Sequence, residues 1–276
     1  MKQARKGYKF IKWVVLGAAC CALMAATTAN AVAIAFSGAF VNGCEISDIK
    51  DKTYVCEDDA TTDVDTIAIG ADYIVTMLGD GEMKVFTAAL GVGSGVHGDL
   101  YSASTVALAV DAYVTRNVTA LTTVALGAGS YVGRNLRAGT TVAIGAGAYV
   151  GRNVSAGTTF ALGAGGYVCR SVKTLTAALG AGSYVHRNLE ATTVTLGVGA
   201  YVNRNLEAVT ATLGVNAYVN GNLKAVTGTL GAGACFGTAA IKTPTLGAGA
   251  GARPEGCPLL RPRTRCTPII YGRENY

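Results

Sequence analysis

Enzymatic catalysis would require acid, base or nucleophilic side chains gathered in one place, and this chain of 276 residues offers few candidates. It has two histidines, His97 and His186, which fall five repeat units apart. Groups that far apart along a straight stack cannot share one site. No metal-ligand spacing, nucleophile elbow or phosphate-binding loop is found either. The sequence therefore predicts a protein that is not an enzyme, with no catalytic residues, no cofactor and no metal.

Threonine recurs at a spacing that could bind a regular surface. One Thr stands three positions before an aliphatic marker residue in each repeat, and in the last repeats a second Thr immediately precedes the marker. Evenly spaced hydroxyls and methyls on a rigid plane can order water, although Thr is also simply favoured on exposed strands. The candidate binding residues are Thr193, Thr195, Thr210, Thr212, Thr227, Thr229, Thr243 and Thr245.

Tyrosine and arginine form a second pair of columns. Rings for stacking and guanidinium groups for phosphate or carboxylate could hold a polyanion or a glycan. In the alternative interpretation, Tyr covers the sheet while Arg stacks on it or caps corner carbonyls. The candidate residues are Tyr131, Tyr149, Tyr184, Tyr201, Arg134, Arg152, Arg187 and Arg204. An Asn follows the Arg in most repeats, as at Asn117 and Asn135, and these Asn residues are expected to form a turn ladder.

These columns follow from an internal repeat, which also predicts the fold. An aliphatic residue, usually followed by Gly, recurs at a spacing of 18 from Leu90 to Leu162, of 17 from there to Leu230, and of 16 at Leu246. Each 18-residue unit divides into three sixes, which predicts three short strands joined by tight corners. We expect an all-β fold, a single-stranded triangular β-solenoid (β-helix) with 17–18-residue turns, capped at both ends. Residues 66–250 would form about eleven turns.

Composition and strand alternation agree with this architecture. Charged residues make up 14% of the chain, and its 37 Gly do not recur at every third position, which excludes disordered and collagen-like classes. Strand alternation predicts which side chains point inward. They are the aliphatic marker residue, the residue two positions before it, and Val132, Leu136 and Ala138 with their equivalents. Gly127 and its equivalents are expected at a corner that requires a positive φ or a close backbone approach.

Residues 1–31 are typical of a secretory signal peptide. Residues 2–12 carry five basic side chains, residues 13–26 are apolar, and Ala29-Asn30-Ala31 supplies a small-x-small cleavage pattern. Cleavage near Ala31 would place the mature chain outside the cytoplasm: secreted, periplasmic or on the cell surface. Removing five of 23 basic residues leaves 18 against 17 acids, so we expect no nucleic-acid binding. We also expect no integral membrane segment in the mature chain.

The two ends of the mature chain differ from the repeat. Residues 32–65 are acidic and predict an N-terminal cap over the open end of the solenoid. Its run Glu57-Asp58-Asp59 is a weak candidate for calcium, because it lacks the alternating ligands and the Gly of a calcium loop. Residues 251–276 are rich in Pro and Arg and predict a C-terminal cap or tail.

Six cysteines remain after cleavage, and an exported chain is expected to oxidise them. Local disulfides are predicted for Cys44 with Cys56 and for Cys257 with Cys266. Cys169 and Cys235 are not expected to pair, since four rungs separate them by about 19 Å and a disulfide tolerates about 7 Å between Cα atoms.

The sequence of the repeat resembles those of known protein families. The phrases Ile144-Gly-Ala-Gly-Ala-Tyr-Val and Arg-Asn-Leu are similar to hexapeptide left-handed β-helices, and residues 87–250 resemble bactofilin-type solenoids, which form polymers. The Thr-x-Thr pattern resembles the ice-binding face of insect antifreeze proteins.

These observations predict an exported, non-enzymatic β-solenoid that acts in structure, self-assembly or surface adhesion. Its partner would be itself, as a polymer or homo-oligomer, or a regular surface such as ice, a glycan or the cell envelope. The alternative is an ice-binding (antifreeze) protein that uses the Thr columns. An acyltransferase of the hexapeptide type is a distant third.

Overall fold

The computed structural model describes residues 33–36, 44–48, 50, 52–57, 66–79, 81–237, 245–252 and 266. The chain divides into two units, Met1–Ala31 and Val32–Tyr276, and every described residue belongs to the second. The predicted signal peptide and cleavage site, Asp58, Asp59, Thr243, Cys257 and most of the C-terminal tail lie outside the described residues. In the described ranges every regular element is a β-strand, and no helix long and apolar enough to cross a membrane is found.

The strands form three ladders, one on each side of a triangle. The first, the Thr ladder, contains β1 (Ala33–Phe36), β4 (Thr66–Ile69), β7 (Thr87–Leu90), β10 (Thr105–Leu108), β13 (Thr123–Leu126), β16 (Thr141–Ile144), β19 (Thr159–Leu162), β22 (Thr176–Leu179), β25 (Thr193–Leu196), the second halves of β27 (Leu206–Leu213) and β29 (Leu223–Leu230), and β31 (Thr245–Ala248).

The second side is the Tyr ladder. It contains β2 (Cys44–Asp48), β3 (Thr53–Cys56), β5 (Ile74–Met77), β8 (Gly95–His97), β11 (Tyr113–Val114), β14 (Tyr131–Val132), β17 (Tyr149–Val150), β20 (Tyr167–Val168), β23 (Tyr184–Val185), β26 (Tyr201–Val202), β28 (Tyr218–Val219) and β30 (Cys235–Phe236). The third ladder contains β6 (Glu82–Val85), β9 (Asp99–Ser102), β12 (Val118–Ala120), β15 (Leu136–Ala138), β18 (Val154–Ala156), β21 (Val172–Lys173), β24 (Leu189–Glu190) and the first halves of β27 and β29.

Each strand of the repeat pairs in parallel with the strand one turn later. The offset between partners is 18 where Thr123 faces Thr141, and it is 17 where Thr176 faces Thr193. The change occurs at the corner between the third ladder and the Thr ladder. There Val154 still pairs with Val172 at the longer offset, while Thr159 pairs with Thr176 at the shorter one. The prediction of an all-β triangular solenoid with 17–18-residue turns is confirmed.

The core fills the inside of the triangle with the columns that alternation assigned to it. Val124, Val142, Phe160, Val132 and their equivalents are almost completely buried, and the marker residues from Ile69 to Leu230 retain at most a few per cent exposure. Because side chains alternate, the residues between these columns project outward on all three ladders. The outward side chains are therefore the ones available for function.

The corner after the Thr ladder depends on two glycines with different roles. A Cβ added to Gly127 would lie 2.6 Å from the carbonyl carbon of Ala109, so this position serves close approach of successive turns. The positive φ falls two residues later, at Gly129 (φ 70°). Asp111 and Asn216 hold the same place with φ of 58° and 53°, as side chains that tolerate the left-handed region can.

Ladder pairing begins inside the segment predicted as the N-terminal cap. Ala33–Phe36 forms an additional rung, in register with Thr66–Ile69. Beside it, β2 and β3 form an antiparallel hairpin whose ends are joined by the Cys44–Cys56 disulfide, which confirms that prediction. The hairpin continues into the Tyr ladder, because β3 pairs in parallel with β5.

The last described rung differs from the sequence prediction by two residues. Thr245 pairs with Thr227 and Ala248 with Leu230, so Ala248, not Leu246, is the marker. The run from Leu246 to Gly251 alternates Gly and Ala and fits two frames. The observed frame places Gly249 at the close approach and Gly251 (φ 69°) at the positive-φ position. Thr245 therefore extends the first Thr column, and Gly247 stands where a second Thr was expected.

Candidate functional site

Six of the predicted Thr residues form two adjacent columns on the outer face of the Thr ladder. Pairing aligns them across three successive rungs: Thr193, Thr210 and Thr227 in one column, and Thr195, Thr212 and Thr229 in the other. The rungs repeat at about 4.8 Å, and the two columns lie about 6.6 Å apart along each strand. We call this surface the Thr-x-Thr patch.

The side chains of the patch are open to solvent. Its outer two rungs are exposed, and the middle rung, Thr210 and Thr212, is half-buried by its neighbours. Within the described part of the chain none of the six hydroxyls makes a side-chain hydrogen bond. The patch is therefore a small, regular grid of exposed hydroxyl and methyl groups that water or a polar surface could contact. It ends before β22, where Ala178 replaces the second Thr.

Sequence reasoning missed a further hydroxyl column at the corner preceding the Thr ladder. The Thr140 hydroxyl donates to the Thr122 carbonyl at 2.7 Å, and the Thr158 hydroxyl donates to the Thr140 carbonyl at 2.9 Å. These hydroxyls satisfy the backbone of the preceding turn and brace the corner. The Thr-Thr pairs at 122–123, 140–141 and 158–159 carried this signal in the sequence.

The Tyr column forms one continuous ring stack. From Tyr113 to Tyr218, successive rings lie 4.7–5.2 Å apart between centroids and within 6° of parallel. The rings at the two ends are half-buried. Those in the middle are buried, at 4% exposure for Tyr184 and 5% for Tyr201. This corrects the hypothesis of an open Tyr strip, since the ring faces are occupied by one another.

Burial also determines the electrostatics of this stack. Desolvation raises the pKa of Tyr184 well above its usual range, because a phenolate there would lose its hydration. Desolvation raises the pKa of Tyr113 as well, and the Tyr113 hydroxyl lies 3.1 Å from Nε2 of His97. These two phenols therefore stay protonated to a higher pH than an exposed tyrosine does.

The Arg column, unlike the Tyr column, stands open. Its side chains project from the corner between the Tyr ladder and the third ladder, one per rung, and all are exposed: Arg134, Arg152, Arg170, Arg187 and Arg204. Their backbones are linked in series, since each Arg N–H donates to the carbonyl of the Arg one turn earlier. Within the described residues these five guanidinium groups have no ion-pair or hydrogen-bond partner.

Carboxylates on the neighbouring third ladder are already engaged. Glu190 forms an ion pair with Lys173, whose Nζ lies 2.8 Å from Oε1 of Glu190, and Glu207 forms an ion pair with Lys224. The lysines thus neutralise these acids, and the Arg column keeps its positive charge. Arg170 belongs to the column on the same geometry as the other four.

An Asn ladder runs beside the Arg column and holds the corner in place. The Asn117 side-chain oxygen accepts from both the backbone and side-chain nitrogens of Asn135, at 3.1 and 3.0 Å. Asn153 repeats this arrangement on Asn135, and Asp99 supplies the first acceptor of the series to Asn117. The predicted turn ladder is confirmed, and it fixes the backbone from which each Arg projects.

The two histidines do not form a site with each other. Their positions in the Tyr ladder differ by five rungs, or about 24 Å. Burial lowers the pKa of His97, and burial followed by the charges of Arg187 and Arg204 lowers that of His186. Among the described residues no group of three or more His, Cys, Asp or Glu side chains is placed to hold a metal ion.

The cysteines depart from the sequence prediction in one pairing. Cys266 is a free thiol, so the predicted Cys257–Cys266 disulfide is wrong. Cys169 is also free, which confirms that it does not pair with Cys235. Cys235 is itself disulfide-bonded. The reason for the error is spatial: Cys266 packs against the Tyr column instead of a neighbour in sequence.

Comparisons with protein-family models, with curated proteins and with solved structures each find no match to this chain. The outward columns therefore carry the information about function.

Proposed function

We propose that this protein is an exported, non-enzymatic structural β-solenoid that adheres to a negatively charged surface, such as an acidic glycan of a cell envelope. The observation that carries the proposal is the Arg column, five exposed guanidinium groups without partners among the described residues. Like charges aligned one per rung repel each other, and an anionic polymer laid along the column would relieve that repulsion.

The chemistry of arginine suits this role. A guanidinium presents a rigid fork of donors that matches carboxylate and phosphate oxygens, and it is always charged. The Asn ladder and the series of Arg backbone hydrogen bonds fix the spacing, so the groups are preorganised and little ordering is required on binding. Many weak, evenly spaced contacts to one polymer then add by multivalency.

Co-sedimentation of the mature chain with insoluble polysaccharides tests this proposal. Wild type should be retained on an acidic polysaccharide and much less on neutral cellulose. The double variant Arg152→Gln/Arg170→Gln should lose most retention. The control Lys84→Gln, an exposed charge of the third ladder near the N-terminal end, should retain nearly all of it. Equal retention on charged and neutral polymers, or no effect of the Arg substitutions, contradicts adhesion through this column.

Ice binding is the second candidate, and the Thr-x-Thr patch favours it. Six hydroxyls on three rungs, with no side-chain hydrogen bond to any described residue and with core residues holding the strand rigid beneath them, offer water fixed positions. The patch spans about 10 Å along the stack, from three rungs at about 4.8 Å spacing, which is small for an ice plane. An ice-recrystallisation assay on the mature chain tests this candidate directly.

A further inference from the structure

Two free thiols meet at the middle of the Tyr column. Cys169 follows Val168 at the place where Gly133 and Gly151 stand in the preceding turns, and its side chain is 8% exposed. Cys266 packs from outside against the cluster that contains Cys169 and four Tyr rings, Tyr149, Tyr167, Tyr184 and Tyr201. The two thiols are hydrogen-bonded to each other.

The meeting is specific, because the two cysteines lie more than five turns of the repeat apart in sequence. The other described cysteines, Cys44, Cys56 and Cys235, are all in disulfides. Disulfides persist in an oxidising environment, and in such an environment two adjacent thiols are also expected to oxidise. The sequence offered no sign of this contact, since a local partner, Cys257, lies close to Cys266 in the chain.

We propose that Cys169 and Cys266 are a disulfide pair that fastens Cys266 over the middle of the Tyr column. The inference goes beyond the proposed adhesion, and it does not depend on which surface the protein binds. It adds a covalent long-range link to the solenoid, where the sequence predicted only a short local loop at the C-terminal end.

The reaction requires a disulfide oxidant, either a thiol–disulfide oxidoreductase or oxidised glutathione. Cys266, the more exposed thiol, loses its proton and attacks the oxidant, which forms a mixed disulfide and releases one thiolate. Cys169 then loses its proton and attacks Sγ of Cys266, which releases the second thiolate. One S–S bond forms in the protein and one breaks in the oxidant, and the two protons and two electrons reduce the oxidant to two thiols.

The environment of the two sulfurs supports this order of events. The hydrogen bond between the two thiols lowers the pKa of Cys266 and raises that of Cys169. Burial raises the pKa of Cys169 further. Cys266 is therefore the thiol that ionises first and reaches the oxidant, and Cys169 is the resolving thiol.

Peptide mapping of the full mature chain tests the proposal. The chain is equilibrated in a glutathione redox buffer, blocked with maleimide and digested without reduction. We expect a peptide pair joined through Cys169 and Cys266, with both thiols protected from maleimide. A peptide joining Cys257 to Cys266, or both thiols still labelled after equilibration with oxidised glutathione, overturns the proposal.

Variants separate the link from simple packing. Cys169→Gly reproduces the residue of the two preceding turns, so the fold should survive, and Cys266→Ser alters the other end of the link. Each should leave one reactive thiol, preserve the Cys44–Cys56 peptide, and lower the melting temperature by about 5 °C or more, as expected for losing a long covalent loop. In each, acrylamide quenching of tyrosine fluorescence should rise, while Arg137→Gln should change neither quantity. Unchanged melting and quenching in both cysteine variants contradicts a link that covers the stack.

Discussion

Thr141 and Val142 are consecutive residues of β16, yet Val142 is completely buried while Thr141 faces outward in register with Thr123 and Thr159. The same alternation holds on the rungs of the Thr ladder from β13 to β29. It separates the residues that hold the solenoid together from those that can meet a ligand, and it makes the effect of a substitution depend strongly on position.

Val142→Asp should prevent stable folding, because it places a carboxylate without a partner among apolar side chains, at a cost of several kcal/mol. Thr141→Asp, one residue earlier, should cost at most about 1 kcal/mol, the span of strand propensities at outward positions. Thermal unfolding followed by circular dichroism gives both values. Similar damage from the two substitutions would show that the facing of β16 is wrong.

Two glycines of one corner should respond differently to alanine. At Gly147 (φ 67°) an added Cβ meets nothing within 4 Å, so Gly147→Ala should cost about 1–2 kcal/mol from the left-handed backbone alone. At Gly145 the added Cβ lies 2.7 Å from the carbonyl carbon of Gly127, so Gly145→Ala should cost more, because successive turns must separate.

Gly147→Asn serves as the matched control for that pair. Asn216 adopts the same conformation in a later turn, so the Asn variant should be close to wild type in stability. Denaturant unfolding should show that Gly147→Asn is the most stable of the three variants, Gly147→Ala is less stable, and Gly145→Ala is the least stable. A reversed order of the two Ala variants would contradict the assignment of close approach to Gly145.

The Tyr stack should make stability fall at alkaline pH. Burial raises the folded-state pKa of Tyr184 above its ordinary value of 10.0, so this side chain favours the folded state below that pH. Above pH 10 the unfolded chain ionises first, and the contribution is lost. Tyr184→Phe should match wild type at pH 7 and lose less stability between pH 9 and 11.

The measurement for Tyr184 is the denaturant midpoint at pH 7, 9 and 11. Tyr101→Phe, a substitution on the third ladder, is the control for removing a hydroxyl elsewhere. If Tyr184→Phe loses as much stability as wild type between pH 9 and 11, this buried ring does not govern the alkaline transition.

The period of the repeat was sufficient to predict the ladders and the core, because each turn restates the same alternation of buried and exposed residues. It failed at Leu246, where the alternating Gly and Ala residues fit two frames and only pairing with β29 selects one. The sequence after Leu246 contains only Gly and Ala up to Ala252, so no bulky residue there decides the register.

The outward columns were harder to predict than the core. Alternation correctly directs the Tyr side chains away from the core, but it cannot show that the rings stack on one another and are covered. Cys266 illustrates the same limit, because its contact with Cys169 joins residues distant in the chain. The Arg column was predictable from the repeat, but the sequence could not show that its guanidinium groups have no ion-pair or hydrogen-bond partner among the described residues.

Thr212→Lys should abolish any effect on ice growth while leaving the fold intact. The lysine would place a long hydrated charge at the centre of the Thr-x-Thr patch without touching the buried neighbours Ala211 and Leu213. Ser155→Lys, exposed on the third ladder, is the matched control and should leave any such effect unchanged. If both variants lose the effect on ice growth equally, or if neither loses it, the Thr-x-Thr patch is not the ice-binding surface. A wild-type protein with no effect on ice growth contradicts ice binding altogether.

The dissociation constant of the mature chain for a soluble acidic polysaccharide, measured at low and high salt, tests adhesion through the Arg column most directly. We expect binding to weaken at least about tenfold between roughly 0.05 and 0.3 M salt, since exposed charges are screened over that range. Arg152→Gln/Arg170→Gln should bind more weakly at low salt and show a smaller dependence on salt. Binding that is insensitive to salt, or a salt dependence unchanged in the double variant, would contradict the account.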